Sequence, residues 1–496
     1  MQLRTLIHNL PKATVSGNLD QQVTGVTTDS REVVAGSIFI AVRGTDGDGQ
    51  DYLPQALEKG ACAIVSEVAP AEDWDEKICW AHVPDARAAA ASLACDWNDH
   101  PSKDLKVVGI TGTNGKTTTA FITHAVMQSV WTRAGLLGTV EINDGEQSVP
   151  ATQTTPGPIQ LQGLLRQMAD NACRGVAMEI SSHALEQKRT DGLLLDVAVF
   201  TNLSQDHLDY HGTMDSYFAA KKRLFELLET QQGNKKPTAV VNIDDPYGQR
   251  LVEEFKDRLY FITYGHGVHA NMRIGRETQN VRGTEFEISY KEREYLVRTP
   301  YIGRFNVFNC TAALAACVAA GIKPRDAVRA FADAPQVPGR MECVGRRDGA
   351  SLFVDYAHTP DALENACAAI RDLRPKRLIT VFGCGGDRDQ TKRPLMGKAA
   401  AEGSDLCIVT SDNPRSEDPE AIIADIEKGM RGARYESIPD RMTAIQTAVN
   451  ISEEGDVILV AGKGHETYQE IAGDRTDFDD RRAAYKALNL KAKSEE

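Results

Sequence analysis

Val107-Val108-Gly109-Ile110-Thr111-Gly112-Thr113-Asn114-Gly115-Lys116-Thr117-Thr118-Thr119 decides the fold. A β-branched run leads into a glycine turn, and the turn leads into residues that open a helix. Strand, phosphate-cradling loop and helix N-terminus therefore follow in order. The backbone N–H groups of Gly112, Thr113, Asn114 and Gly115 can face phosphate oxygens. Lys116 can reach the outer phosphates, and the Thr117 hydroxyl, with Thr118 beside it, can meet a Mg²⁺ ion. The stretch predicts ATP or GTP binding. Ile110 stands where the general P-loop pattern has its first glycine.

Outward from this loop, 496 residues predict roughly three domains. Residues 1–103 alternate short strands (Ser37–Val42, Ala61–Ser66) with helices (Tyr52–Lys59, Ala86–Asn98). They read as a small N-terminal α/β domain, with His100-Pro101-Ser102 as a linker. Residues 104–336 hold candidate strands at Leu105–Ile110, Arg133–Thr139, Gly175–Ile180, Val197–Asn202, Thr238–Ile243 and Arg258–Thr263, with helices between. This is a central P-loop ATPase-type domain with a mostly parallel sheet. After the Pro-rich turn Ala334–Gly339, residues 337–496 restart the alternation as a C-terminal Rossmann-like α/β domain.

The net charge of −14 argues against nucleic acid or an anionic membrane as partner. The opening MQLRTLIHNLPKAT is too broken for a signal h-region, and no apolar run approaches the ~18 residues of a membrane span. Ten cysteines lacking any C-x-x-C pair, among them Cys310, Cys317 and Cys367, read as reduced buried thiols of a cytoplasmic protein.

Polar clusters follow several of the strands, where doubly wound sheets keep their sites. Glu179 ends a hydrophobic strand beside the P-loop and suits Mg²⁺; a solvent-facing strand end is an equal alternative. His207 is a metal or carboxylate candidate, although a lone histidine is more often structural. Lys221, in AAKKRLF, reads from its residues as a solvated helix face. Asn306 and Asn309 could cap an Ala-rich helix or meet a purine, and Arg340 sits at a domain boundary. Four loops of the last domain, after Asp355, Gly383, Ser411 and Gly462, are polar or Gly-rich together, which one turn alone would not explain.

GTNGKTTT, EISSHALEQKR, TNLSQDHLDYHG, YFAAKKRLF, GRFNVFN, PGRME, VDYAHTPDAL, GCGGDRD, SDNPR and AGKGHE occur together and in order. The chain resembles the Mur ligase family of ATP-dependent amino-acid-adding enzymes of peptidoglycan precursor synthesis, whose own loop carries the Ile110 form. The resemblance implies an acyl-phosphate mechanism with Mg²⁺ as cofactor and ATP as co-substrate. Lys116, Glu179, His207 and Lys221 would be catalytic. Thr117, Glu179, His207 and Lys221 would hold metal, with Lys221 carbamylated, which would need partial burial and a depressed pKa. Asn306, Asn309, Arg340 and Asp355 would contact ATP. Thr28, Ser30, Thr45, Asp46, Gln153, Thr154, Thr155, Ser181, Gln187 and Arg189 would hold the UDP-sugar-dipeptide. Arg388, Asp412, Asn413, Pro414, Arg415, Gly462 and Glu466 would hold the amino acid. Relatives that add lysine lack the arginine of the D-x-P loop, so Arg415 implies meso-diaminopimelate, with a buried guanidinium taking its extra carboxylate. The implied partners are these small molecules, with no nucleic acid and no membrane, acting on a monomer. A folate-type ligase and a P-loop switch protein are the alternatives.

Overall fold

The computed structural model describes residues 1–44, 47–72, 74–233 and 235–490, the last without its side chain. The expectation for 491–496, a frayed tail, lies outside the described residues.

Three mostly parallel sheets carry the chain. The first orders its strands Thr14–Ser16, Cys79–His82, Ala63–Ser66, Ser37–Ile40 and Gly25–Thr27, with only Thr14–Ser16 antiparallel. Its inner strands read as unbroken apolar runs because both faces are covered. Leu3, Leu6, Ala90 and Leu93 pack one face; Phe39, Ala56, Ile64 and Trp80 pack the other.

The central sheet has eleven strands among the described residues, antiparallel toward its edges; its parallel core runs Tyr260–Gly265, Thr238–Asn242, Val197–Phe200, Lys106–Thr111, Gly175–Glu179 and Gly135–Leu137. Register places the chemistry: Glu179 pairs with Ile110, and Phe200 with Thr111, so three strands end at one edge. Lys116–Trp131, Pro158–Asp170, Met214–Thr230 and Pro246–Phe255 are among its helices. The last sheet orders Glu342–Arg347, Ala350–Asp355, Val457–Ala461, Leu378–Phe382, Leu406–Val409 and Tyr435–Ser437; only its first strand is antiparallel. Asp355 pairs with Ala461 and Phe382 with Val409, again aligning strand ends.

By compactness the chain forms two units, residues 1–274 with 309–327, and 275–308 with 328–496. No helix among the described residues is long and apolar enough to cross a membrane.

Three sequence expectations are corrected. The strand expected at Arg133–Thr139 is only Gly135–Leu137, because Thr139 turns away to bond Glu179. His100-Pro101-Ser102 is not a loose linker: Pro101–Lys103 forms a 3₁₀ turn, Pro101 and Ser102 are buried, and the Ser102 hydroxyl accepts from the Leu194 N–H. Antiparallel strands Gly283–Tyr290 and Arg293–Thr299 occupy a stretch read without strands.

Candidate active site

Gly112 and Gly115 are glycines for steric reasons. Gly112 has φ +149°, and a Cβ there would sit 1.9 Å from Thr201 Oγ1; Gly115 has φ +83°, and a Cβ would sit 2.2 Å from Asn309 Oδ1. The loop is pinned from the neighbouring strand end. Asn202 accepts from the Asn114 N–H through Oδ1 (2.9 Å) and from the Thr113 N–H through its carbonyl (2.9 Å). Gly115 then caps the helix Lys116–Trp131, whose first turn buries Thr117 and Thr118.

Two lysines meet at one carbonyl. Lys116 Nζ donates to the Gly112 and Thr113 carbonyls (3.0 and 2.8 Å), and Lys221 Nζ donates to the same Gly112 carbonyl (2.7 Å). Lys221 also lies 4.5 Å over the Tyr217 ring and is 1% exposed, which overturns the solvated-face reading. Burial, reinforced by the Lys116 cation, drives the Lys221 amine well below the ordinary lysine value, against the pull of Asp206.

Glu179 is 0% exposed, which removes the solvent-facing alternative. It accepts from Thr117 Oγ1 (2.9 Å), Thr139 N–H (2.7 Å) and Thr139 Oγ1 (3.0 Å). A Cβ on Gly138 would approach its Oε1 to 2.6 Å, so Gly138 makes room for the carboxylate. Among the described residues no three His, Cys, Asp or Glu side chains group as a metal site. One carboxylate with one hydroxyl nonetheless fits Mg²⁺, which keeps waters and takes substrate phosphates.

His207, left-handed at φ +52°, is 47% exposed at its side chain, lies 3.5 Å from the Asp206 carboxylate and stacks edge-on to His183 at 5.0 Å. Burial, with the His207 and His211 rings nearby, pulls His183 down to about 4, so it is neutral at pH 7. His211 is buried between Ser182 Oγ (2.9 Å) and Glu186 (3.1 Å).

Arg189 gathers the candidates beside Glu179. It donates to Gln153 Oε1 (2.8 Å), the Thr155 carbonyl (2.8 Å) and Gln187 Oε1 (2.7 Å). Thr155 Oγ1 donates to the Glu179 carbonyl and accepts from the Ser181 N–H, and Thr154 Oγ1 lies 3.0 Å from Thr139 Oγ1. Ser30 is buried and bonds Gln55 (2.6 Å), while Thr28 is exposed. Thr45 and Asp46 lie outside the described residues.

In the second unit the expected loops converge. The Gly462 N–H donates to the Asp355 carbonyl, a Cβ on Gly462 would meet Asp412 Oδ2 at 2.6 Å, and Asn413 Nδ2 donates to Glu466 Oε2 (2.8 Å). Lys463 Nζ, 0% exposed at its side chain, donates to Asn413 Oδ1 (2.9 Å) and Glu466 Oε2 (3.3 Å). Arg415 corrects one expectation: it is half-buried, not buried, and Nη1 donates to the Gly386 carbonyl (2.6 Å). Pro414 is buried beside it, its carbonyl 1.9 Å from where a Gly386 Cβ would fall. Arg388 is exposed on the adjoining loop.

Three matches fit this geometry. The Mur ligase middle domain matches residues 110–317, the Mur ligase glutamate ligase domain residues 339–464, and the Mur ligase family catalytic domain residues 22–97. The chain belongs to the Mur ligase family. It is 43% identical to a UDP-N-acetylmuramoyl-L-alanyl-D-glutamate–2,6-diaminopimelate ligase of Geobacillus thermodenitrificans, over 98% of this chain and 99% of that one. A solved structure of a ligase of the same name is 34% identical, covers 99% of both chains and superposes with a TM-score of 0.73. A Mycobacterium tuberculosis folylpolyglutamate synthase, 18% identical with a TM-score of 0.60, shares the fold over 75% of this chain and 91% of its own.

For a Mur ligase, the nucleotide candidates divide between the units. Asn309 lies against Gly115 in the first. Asn306, Arg340 and Asp355 belong to the second, where Asn306 Nδ2 donates to the Ile302 carbonyl (2.8 Å) and Arg340 stacks on Tyr356 at 4.6 Å. Burial pushes the Asp355 carboxyl up, opposed by Arg340 and by the Met341 and Ala357 N–H groups.

Sequence reasoning passed over Asn202, Thr139, Lys463 and Arg441. Asn202 lies in TNLSQDHLDYHG and Lys463 in AGKGHE, so both carry a local signal. Thr139 and Arg441 carry no local signal. Arg441 is fully buried, paired with Asp480 (2.7 Å), and donates to the Ser411 and Ala461 carbonyls (3.2 and 2.9 Å), the strand ends that lead into the Asp412 and Gly462 loops.

Proposed function

We propose that this Mur ligase joins meso-2,6-diaminopimelate to the D-glutamate of UDP-N-acetylmuramoyl-L-alanyl-D-glutamate. The likeness to ligases of that name over almost the whole chain carries the reading. The free carboxylate of the D-glutamyl residue attacks the γ-phosphorus of ATP, ADP leaves, and an acyl phosphate forms. The amine of diaminopimelate attacks the acyl carbon, phosphate leaves, and an amide remains.

The obstacle in the first step is charge: a carboxylate must approach a triphosphate. Lys116 leaves the loop carbonyls for the outer phosphates and screens them. Thr117 and Glu179 would hold Mg²⁺, which supplies further positive charge at the transferring group. Lys221 is proposed as a carbamate, with His207 as a further metal ligand. Carbamate formation needs a neutral amine, and the burial of Lys221 favours that form.

The boundaries 1–103, 104–336 and 337–496 are proposed as the UDP-sugar, ATP and amino-acid domains. The Arg189 cluster would hold the UDP-linked dipeptide. Arg415 would exchange its Gly386 carbonyl for the extra carboxylate of diaminopimelate, and Glu466 would accept from its ammonium group. We place the reaction in the cytoplasm and on a monomer.

The test is phosphate release from ATP with the UDP-dipeptide, adding diaminopimelate or L-lysine in parallel. Release with diaminopimelate alone is expected. Release with lysine at a similar rate would sink the role given to Arg415, and no amino-acid-dependent release would sink the ligase reading.

A further inference from the structure

Lys463 stands among the proposed amino-acid residues without a substrate-facing role of its own. Its side chain is 0% exposed, so it does not meet a ligand in the open pocket. Its ammonium is surrounded by protein partners: Asn413 Oδ1 at 2.9 Å, Glu466 Oε2 at 3.3 Å, and the Tyr468 ring at 5.4 Å. Asn413 and Glu466 accept two of its three N–H groups, and the Tyr468 ring adds a cation–π contact.

The partners in turn are left with defined free valences. Asn413 Oδ1 accepts from Lys463 and from the Glu470 N–H (3.1 Å), which fixes the amide so that Nδ2 faces Glu466. Glu466 Oε2 then receives Asn413 Nδ2 (2.8 Å) and Lys463, whereas Oε1 takes no bond from the described residues. Glu466 is 21% exposed at its side chain, so a ligand can reach the residue while Lys463 stays covered.

We infer that Lys463 is a positioning residue that locks Asn413 and Glu466 so that Glu466 presents a single oxygen, Oε1, to the ammonium of the incoming amino acid. The inference rests on the proposed role of Glu466 as ammonium acceptor. Without Lys463 the carboxylate loses a buried cation and a rotational stop, and the Asn413 amide loses the partner that sets its orientation. The ligand then meets a carboxylate that must be reordered on each encounter. The deficit falls on amino-acid binding and not on phosphoryl transfer, which precedes it.

The experiment compares K463M, E466Q and the K463M/E466Q double variant, each with melting curves and with the Michaelis constants of all three substrates. K463M is expected to raise KM for diaminopimelate about tenfold or more, the range of a charge-assisted contact, while kcat and the KM values of ATP and the UDP-dipeptide stay within about threefold. The double variant is expected to be no worse than E466Q alone, because one residue acts through the other. If K463M does not fold, K463Q, which keeps a donor for Asn413 without the charge, carries the same expectation. An unchanged KM for diaminopimelate in K463M, a parallel rise in all three KM values, or additive effects in the double variant would each overturn the inference. E466Q with wild-type KM would instead bring down the acceptor reading of Glu466, whatever K463M does.

Discussion

Lys221 gives the sharpest test, because one substitution should raise stability and abolish activity together. Lys221→Met keeps the side-chain length and removes the ionisable amine. The amine it deletes is 1% exposed, with a carbonyl and an aromatic face as partners and, among the described residues, no carboxylate in bonding distance. The Gly112 carbonyl is not orphaned by the change, since Lys116 Nζ stays 3.0 Å away. Folding must either bury this amine charged or strip it of its proton, and an apolar side chain of similar volume avoids either cost, which is on the order of several kcal/mol at pH 7. The gain must depend on pH with a definite sign. The folded-state value of Lys221 is lowered, so between that value and the unfolded ~10.4 the unfolded chain holds the extra proton. Wild-type stability therefore rises with pH in that window, and the advantage of Lys221→Met shrinks by up to about 1.4 kcal/mol per pH unit. Urea unfolding of both proteins from pH 7 to 9.5 in bicarbonate-free buffer reads this directly, with phosphate release as the activity assay. A variant less stable than wild type at pH 7, or a stability difference flat across that range, would refute the argument. So would full activity, which would remove Lys221 from the mechanism.

Gly115→Ala should cost about 1–2 kcal/mol in backbone strain and push Asn309 from the loop, weakening ADP binding about tenfold or more by calorimetry; unchanged affinity would contradict the steric reading. Arg415→Ala should lower kcat/KM for diaminopimelate about 10–100-fold, with ATP affinity untouched. The range is modest because the guanidinium is only half-buried and already has a carbonyl partner. Asp480→Ala should destabilise its unit by about 3–5 kcal/mol, since it strands a buried guanidinium. Arg441→Met with Asp480→Leu should recover most of that stability, yet still raise KM for the amino acid, because the Ser411 and Ala461 carbonyls lose their shared donor.

Strand order is only partly a local property, which is why some of this architecture could be read in advance. The parallel strands announced themselves as apolar runs before Gly-rich or polar turns, and the P-loop, Glu179 and the four C-terminal loops fell where those strands end. Antiparallel strands between 283 and 299 were missed although Phe286, Ile288 and Tyr290 alternate with polar residues and all three are buried. An alternation of strands with crossover helices does not mark a two-stranded ribbon, which has no helix between its strands. Lys221 shows a deeper limit. Its neighbours Lys222 and Arg223 are half-buried and paired with Glu254 and Asp191, and nothing local says that the first of the three is the one turned fully inward. Thr139 and Arg441 act through partners 40 and 39 positions away in the chain, at Glu179 and Asp480.

The brace between Arg441 and Asp480 also dates the pocket during synthesis. Asp412 and Gly462 leave the ribosome before Asp480 does, and Asp480 opens the helix Asp480–Leu490. Until that helix emerges and docks, Arg441 is a cation without its counter-ion, and the two loops it ties have no common anchor. The amino-acid pocket is thus assembled last, and a message truncated upstream of Asp480 should yield a chain that carries every proposed ligand-binding residue and still cannot hold the amino-acid substrate.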